Sequence, residues 1–122
     1  MKYVDGFVLS VKKNKIKEYK KMAEMGKKMW LKYGALEYVE AVGDDLKSAS
    51  KWGCWVFPKM AKTKPDETVV FAFIVYKSKA HRNLVNRKVM KDPLMKSDHK
   101  SMPFEMKRMA VGGFKIIVGG KK

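Results

Sequence analysis

An aspartate set in an otherwise apolar run is the first residue of this chain whose placement could do chemistry. Asp5 lies within Tyr3-Val4-Asp5-Gly6-Phe7-Val8-Leu9, and an ionised carboxylate inside a buried strand is costly unless paired. Two roles fit it. A buried acid with a raised pKa can act as a general base; a structural acid would bond backbone amides or a neighbouring strand's lysine, such as Lys115. His81 falls one helical step before Leu84 and Val85, so it faces partly inward. It is the histidine placed for proton transfer, with a structural hydrogen bond as the alternative. Arg82 and Asn86 lie four residues apart and could grip a carboxylate, or form an ordinary surface pair. Trp30 and Tyr38 add aromatic surface for a ligand. The planar fork of Arg82 and the chain's positive field together favour a small organic anion.

Other chemistries lack their residues. The histidines are His81 and His99, there is one cysteine, and no HxxxH pair occurs, so no metal is expected. No cofactor is expected either: there is no Walker loop and no GxGxxG, and Gly112-Gly113 is followed by neither a lysine-serine pair nor a helix. Cys54, between Trp52 and Trp55, reads as a small buried hydrophobe, with a reactive thiol as the alternative. Glu37 and Glu40 point in opposite directions by strand alternation, and Asp44-Asp45 reads as a turn.

The net charge is +16, and only three of the 28 basic residues are arginine. Lysine lacks the fork that grips phosphate bidentately. These lysines are also scattered, as at Lys12-Lys13, Lys20-Lys21 and Lys27-Lys28, so they read as a solubilising coat. Any nucleic-acid binding is expected to be weak and non-specific. The first residues carry an acid and a glycine where a signal peptide needs an apolar run. The longest apolar run, Val69 to Tyr76, is too short to span a bilayer. A cytoplasmic protein that does not engage membranes is expected.

Around these residues the pattern predicts one domain over residues 1–122. Tyr3 to Val11 alternates as a strand, with Tyr3, Asp5, Phe7, Leu9 and Val11 on one face. Asn14 is placed to cap a helix over Lys15 to Tyr33. Its apolar stripe is Ile16, Tyr19, Met22, Ala23, Met29, Trp30 and Tyr33, and Gly34 ends it. Ala35 to Val42 is a second strand, with Leu36, Tyr38, Glu40 and Val42 on one face. Gly43 to Glu67 reads as a long loop. Thr68 to Tyr76 is a third strand, and Ser78 caps a second helix to about Met90, with Leu84, Val85 and Val89 inward and Asp92-Pro93 closing it. A last strand over Met109 to Val118 is interrupted at Gly112-Gly113. The order βαββαβ predicts an α+β ferredoxin-like fold: a four-stranded antiparallel sheet with helices on one face and the first and third strands central. The third strand is apolar on both faces, so one face needs a cover. A homodimer burying Phe71 and Phe73 is the simplest solution.

Several segments also carry a resemblance: Tyr3-Val4-Asp5-Gly6-Phe7-Val8-Leu9, Gly34-Ala35-Leu36-Glu37-Tyr38-Val39-Glu40, Asp44-Asp45, Glu67-Thr68-Val69-Val70-Phe71, Ile74-Val75-Tyr76-Lys77-Ser78, and Met102-Pro103-Phe104 with Gly112-Gly113-Phe114. Over nearly the whole length the chain resembles the YbaA-like family of uncharacterised bacterial proteins, placed in the dimeric α/β-barrel superfamily. It departs in the middle loop, in its lysine content, at Ala41, where many members carry cysteine, and at Glu105, where aspartate is expected. The resemblance implies the fold and a dimer with sheets packed face to face. It implies no catalytic residues. Small-molecule binding (an organic acid or an aromatic compound), or a cofactor-free enzyme activity, is the expected function.

Two alternatives remain. Phe71-Ala72-Phe73-Ile74-Val75-Tyr76 matches the end of the RNP1 pattern on the third strand of an RRM-like topology. Val69-Val70 replaces that pattern's basic-glycine opening, and the same aromatics suit a sheet–sheet dimer. A non-catalytic stress or interaction protein is the other alternative.

Overall fold

The computed structural model describes residues 2–96 and 102–122. Strand β1 is Tyr3–Lys12, helix α1 Ile16–Lys32, strand β2 Glu37–Val42, the single turn α2 Phe57–Met60, strand β3 Glu67–Tyr76, helix α3 Lys79–Lys91, and strand β4 Ala110–Lys115. The sheet is antiparallel throughout in the order β2-β3-β1-β4. This is the ferredoxin-like α+β arrangement, with β1 and β3 central.

Register decides which side chains share a face, because residues directly opposite one another point the same way. Asp5 faces Ile74 on one side and Gly113 on the other, and Glu40 faces Ala72. Tyr3, Asp5, Leu9, Val11, Val70, Ile74 and Tyr76 therefore lie beneath α1 and α3, and all are buried. Their partners from the helices are Tyr19, Met29, Val85 and Val89. The predicted α1 stripe holds, since every one of its members is buried or half-buried.

The opposite sheet face carries Val4, Val8, Val39, Phe71, Phe73, Val75 and Phe114. The rows through Phe71 and Phe73 hold no charged side chain, although the chain is strongly basic, and Glu37 opposite Val75 puts one carboxylate at the β2 edge of the row through Val4 and Phe114. Phe71 is 45% exposed and Phe114 58%. One margin is covered by the segment after β2: Phe57 of α2 meets Phe71 edge-on at 6.3 Å, and Ser10 Oγ lies 2.8 Å from Thr63 Oγ1.

Several local expectations are corrected. Asn14 does not cap α1: a 3₁₀ turn, Lys13–Lys15, leads into the helix, and Lys15 stands at the cap without a side-chain bond. The long segment after β2 is not all loop, because it holds a 3₁₀ turn at Ser48–Trp52 as well as α2. Leu84 is exposed, and Val85 and Val89 alone of the three named residues are buried. Cys54 is exposed. Gly112-Gly113 does not interrupt β4 but pairs within it against Gly6 and Asp5. The glycine has a steric reason: a Cβ on Gly113 would collide with the Tyr3 hydroxyl and lie 2.9 Å from Arg82 Nη2. Gly34 (φ 113°) ends α1 in the left-handed region, and Ser78 Oγ caps α3 by accepting from the His81 amide at 3.1 Å. His99 lies outside the described residues.

A largely buried ion pair ties the turn before β4 to the start of β3. Arg108 donates through Nη1 and Nη2 to the two Glu67 oxygens, both at 2.8 Å, and Nη2 also reaches the Lys62 carbonyl at 3.0 Å. A bidentate fork is the strong form of this contact.

Candidate functional site

Strand alternation puts Asp5 under α3, and α3 supplies its charge partner. Arg82 Nε stands 3.8 Å from Asp5 Oδ1, and Arg82 Nη2 donates to the Tyr3 hydroxyl at 3.2 Å with the guanidinium over the Tyr3 ring. Arg82 Nε is buried without a hydrogen-bond acceptor. Asn86, one turn along α3, accepts at Oδ1 from Trp30 Nε1 (3.1 Å) and from the Tyr76 hydroxyl (3.3 Å). Burial raises the Asp5 pKa above its ordinary 3.8, and Arg82, Tyr76 and Asn86 pull it only part of the way back. Asp5, Arg82, Asn86 and Trp30, four of the residues singled out by type and spacing, thus join one network. Lys115 sits opposite Tyr3, not beside Asp5.

His81 is placed differently. Its Nδ1 accepts from the Lys77 amide at 3.0 Å, which leaves Nε2 as the protonated nitrogen of the neutral ring, and the ring meets Tyr76 edge-on. The turn joining β3 to α3 is held through this contact. Phe71 and Phe73 lie on the other side of the sheet, with ring centroids 6.1 Å apart.

A second polar centre lies between α1 and β2. Tyr38 and Glu40, two apart on β2, point to the helix side together. The Tyr38 hydroxyl donates to Glu40 Oε2 at 2.6 Å, and the Tyr19 hydroxyl from α1 donates to Glu40 Oε1. Burial first, and then the Glu40 carboxylate, push both phenols well above the usual tyrosine value of 10, so both keep their protons and act as donors. Helix α1 makes room for this with a glycine at mid-length: a Cβ on Gly26 would lie 2.6 Å from the Tyr38 hydroxyl.

Two cavities flank Glu40. One, of about 420 Å³, is walled by Ile16, Ala23, Val42 and Val70, with Lys20, Glu24 and Lys27 along α1. The other, of about 500 Å³, includes Met22, Met25, Trp30 and Met95. Tyr38 and Glu40 line both, Trp30 lines the second, and neither cavity touches Asp5, His81, Arg82 or Asn86. Trp30 joins the two centres, since its indole forms cavity wall and donates to Asn86. From sequence Tyr19 reads only as a member of the α1 stripe, and Glu40 is set aside because strand alternation separates it from Glu37. Among the described residues no group of three or more metal-ligating side chains converges, and no helix is long and apolar enough to cross a membrane.

Fold and site together define the class: a ferredoxin-like domain with cavities between sheet and helices and an open apolar face behind them. The chain belongs to the protein family of unknown function DUF1428, whose model matches residues 2–106. It is 41% identical over 118 residues to the uncharacterized protein YbaA of Escherichia coli K12, covering 97% of this chain and 98% of that protein. YbaA of Shigella flexneri matches to the same extent. The resemblance drawn from the strand and turn motifs is thereby established at the level of the family.

Proposed function

We propose that this protein is a cytoplasmic homodimer that binds a small organic acid or aromatic compound between its sheet and α1. The observation that carries the reading is the pair of cavities flanking Glu40, whose volumes of about 420 and 500 Å³ fall in the range of small-molecule sites. Both have mostly apolar walls, with charged side chains from α1 and Glu40 of β2 among their lining, a mixture that can bind a carbon skeleton and orient it. The dimer is supported by the open face. A second copy offers an identical, mostly apolar surface whose charge is a carboxylate at its edge, Glu37, whereas RNA would require basic residues beside the aromatics.

A second reading, cofactor-free proton transfer, rests on the Asp5 environment and needs a ligand that reaches Asp5, which neither cavity touches. A carboxyl whose pKa is raised by burial, with Arg82 3.8 Å away, is suited to take a proton from a ligand whose anion the arginine stabilises. His81 is the other base available to this reading, once its bond to Lys77 opens.

Thermal unfolding against a panel of small carboxylates and hydroxylated aromatics tests the binding reading. A compound held only by the folded state at about 100 times its Kd adds about 2.7 kcal/mol of stability, which appears as a rise of several degrees in Tm. A panel without any such rise contradicts the proposal. If turnover of a bound compound is found, Asp5→Asn or His81→Gln is expected to abolish it while leaving the fold intact. Equal turnover by both variants removes the second reading.

A further inference from the structure

We propose that Glu40, clamped by Tyr19 and Tyr38, is the polar head of the 420 Å³ cavity and accepts the hydroxyl of a hydroxylated aromatic carboxylate. This assignment rests on the small-molecule reading above and names its site and ligand class. A carboxylate offers about four acceptor positions. Each phenol occupies one, on a different oxygen, so one position on each oxygen stays open, and Glu40 forms part of the wall of both cavities. Both phenols keep their protons and serve Glu40 as donors. The open positions suit a donor brought by the ligand.

The rest of the cavity describes that ligand. Ile16, Ala23, Val42 and Val70 give it apolar walls suited to a flat ring. Lys20 and Lys27, with Glu24 between them, leave its α1 side with a net positive charge. A ring with a hydroxyl at one end and a carboxylate at the other matches Glu40 inside and the lysines outside. The +16 field of the chain draws such an anion in. Gly26 indicates that the head is built rather than incidental. A glycine in the middle of α1 weakens the helix, and here it admits the Tyr38 hydroxyl to its bond with Glu40.

The probe is 4-hydroxybenzoate, with benzoate and 4-hydroxybenzyl alcohol as the analogues lacking one end each, titrated by calorimetry and by amide NMR. The expected result is binding of 4-hydroxybenzoate at least about tenfold tighter than benzoate, because a site built around a hydroxyl discriminates against a ligand without one. Amide shifts should cluster at Ala23, Tyr38, Val42 and Val70. Glu40→Gln should weaken 4-hydroxybenzoate at least about tenfold. The double substitution Lys20→Gln with Lys27→Gln, on the exposed side of α1, should weaken it several-fold and leave the alcohol unaffected. This second variant and the shift map decide the matter if Glu40→Gln does not fold. Shifts centred on Met22, Met25 and Met95 of the second cavity, with benzoate and 4-hydroxybenzoate bound alike, overturn this site and leave the small-molecule reading standing, whereas shifts centred on Asp5 and Arg82 overturn both. No shift with 4-hydroxybenzoate, together with no stabilisation by the wider panel, overturns both.

Discussion

Single residues divide sharply by how visible they are in sequence. Asp5 announces itself because a charge in an apolar strand is an anomaly, and the structure gives it a cationic partner and a raised pKa. Glu40 does not, because Tyr-Val-Glu on an alternating strand is what any half-exposed edge looks like. Tyr19 was visible only as one more member of a helical stripe. The Glu67–Arg108 pair was invisible for another reason: its members are 41 positions apart, and only the fold brings them together. That pair sets a pH response. Hydrogen bonds from Arg108, foremost among the causes, hold the Glu67 carboxyl down to about 2, against an ordinary 4.5. The unfolded chain therefore binds this proton more readily, and the pair's stabilisation, complete above about pH 4.5, is lost as pH falls toward 2. Asp5 works the other way, since its raised pKa makes the folded state the better proton acceptor and erodes stability as pH rises from its ordinary 3.8. Urea unfolding at pH 7 and at about pH 3 should show the acid loss in the parent and less of it in Arg108→Ala. At pH 7 that variant, which leaves the buried Glu67 carboxylate with the Lys64 amide as its remaining donor, should be destabilised by about 2 kcal/mol.

At the scale of elements, legibility followed periodicity. Strands β1 and β3 and helix α1 repeat for ten residues or more and were readable with small errors at their ends. The segment after β2 was not readable, because a five-residue 3₁₀ turn and a four-residue helix are too short to show a period. Leu84 falls outside the buried face of α3 because that face is centred on Val85 and Val89, with His81, Arg82 and Asn86 half-buried beside them. The glycines were misread most instructively. Gly112-Gly113 looks like a break in sequence, yet Gly113 leaves the space that Tyr3 and Arg82 fill over β4, a demand made by other elements. Gly26 belongs to the same class, and a double-mutant cycle isolates it. Alanine is better than glycine in a helix interior by about 1 kcal/mol. In the parent, Gly26→Ala should not realise that gain, because the new Cβ meets the Tyr38 hydroxyl at 2.6 Å. In a Tyr38→Phe background the hydroxyl is gone, and the same substitution should stabilise by about 1 kcal/mol, read from chemical unfolding midpoints. Equal effects in both backgrounds would mean that Gly26 does not serve Tyr38.

For the whole molecule, topology was the most legible feature, since right-handed crossovers leave βαββαβ few arrangements. What the pattern could not show is how the two faces of one sheet are used. The helix face holds the buried acid, the tyrosine-clamped Glu40 and the cavities, and the other face holds mostly apolar rows with Phe71 and Phe114 exposed. The same aromatics would stack bases if left open, so RNA provides a sharp contrast. Fluorescence anisotropy with single-stranded oligonucleotides should show binding that is indifferent to sequence and collapses between low and physiological salt, as lysine–phosphate contacts do through counterion release. Salt-resistant binding lost on Phe73→Ala would assign that face to RNA instead. The division of the sheet into an assembly face and a ligand face is tested most directly by the solution mass. Light scattering behind size-exclusion chromatography at micromolar concentration should return twice the 14.1 kDa chain mass, and Phe73→Asp should shift it to a folded monomer. A parent protein that elutes as a monodisperse species of 14.1 kDa contradicts that division.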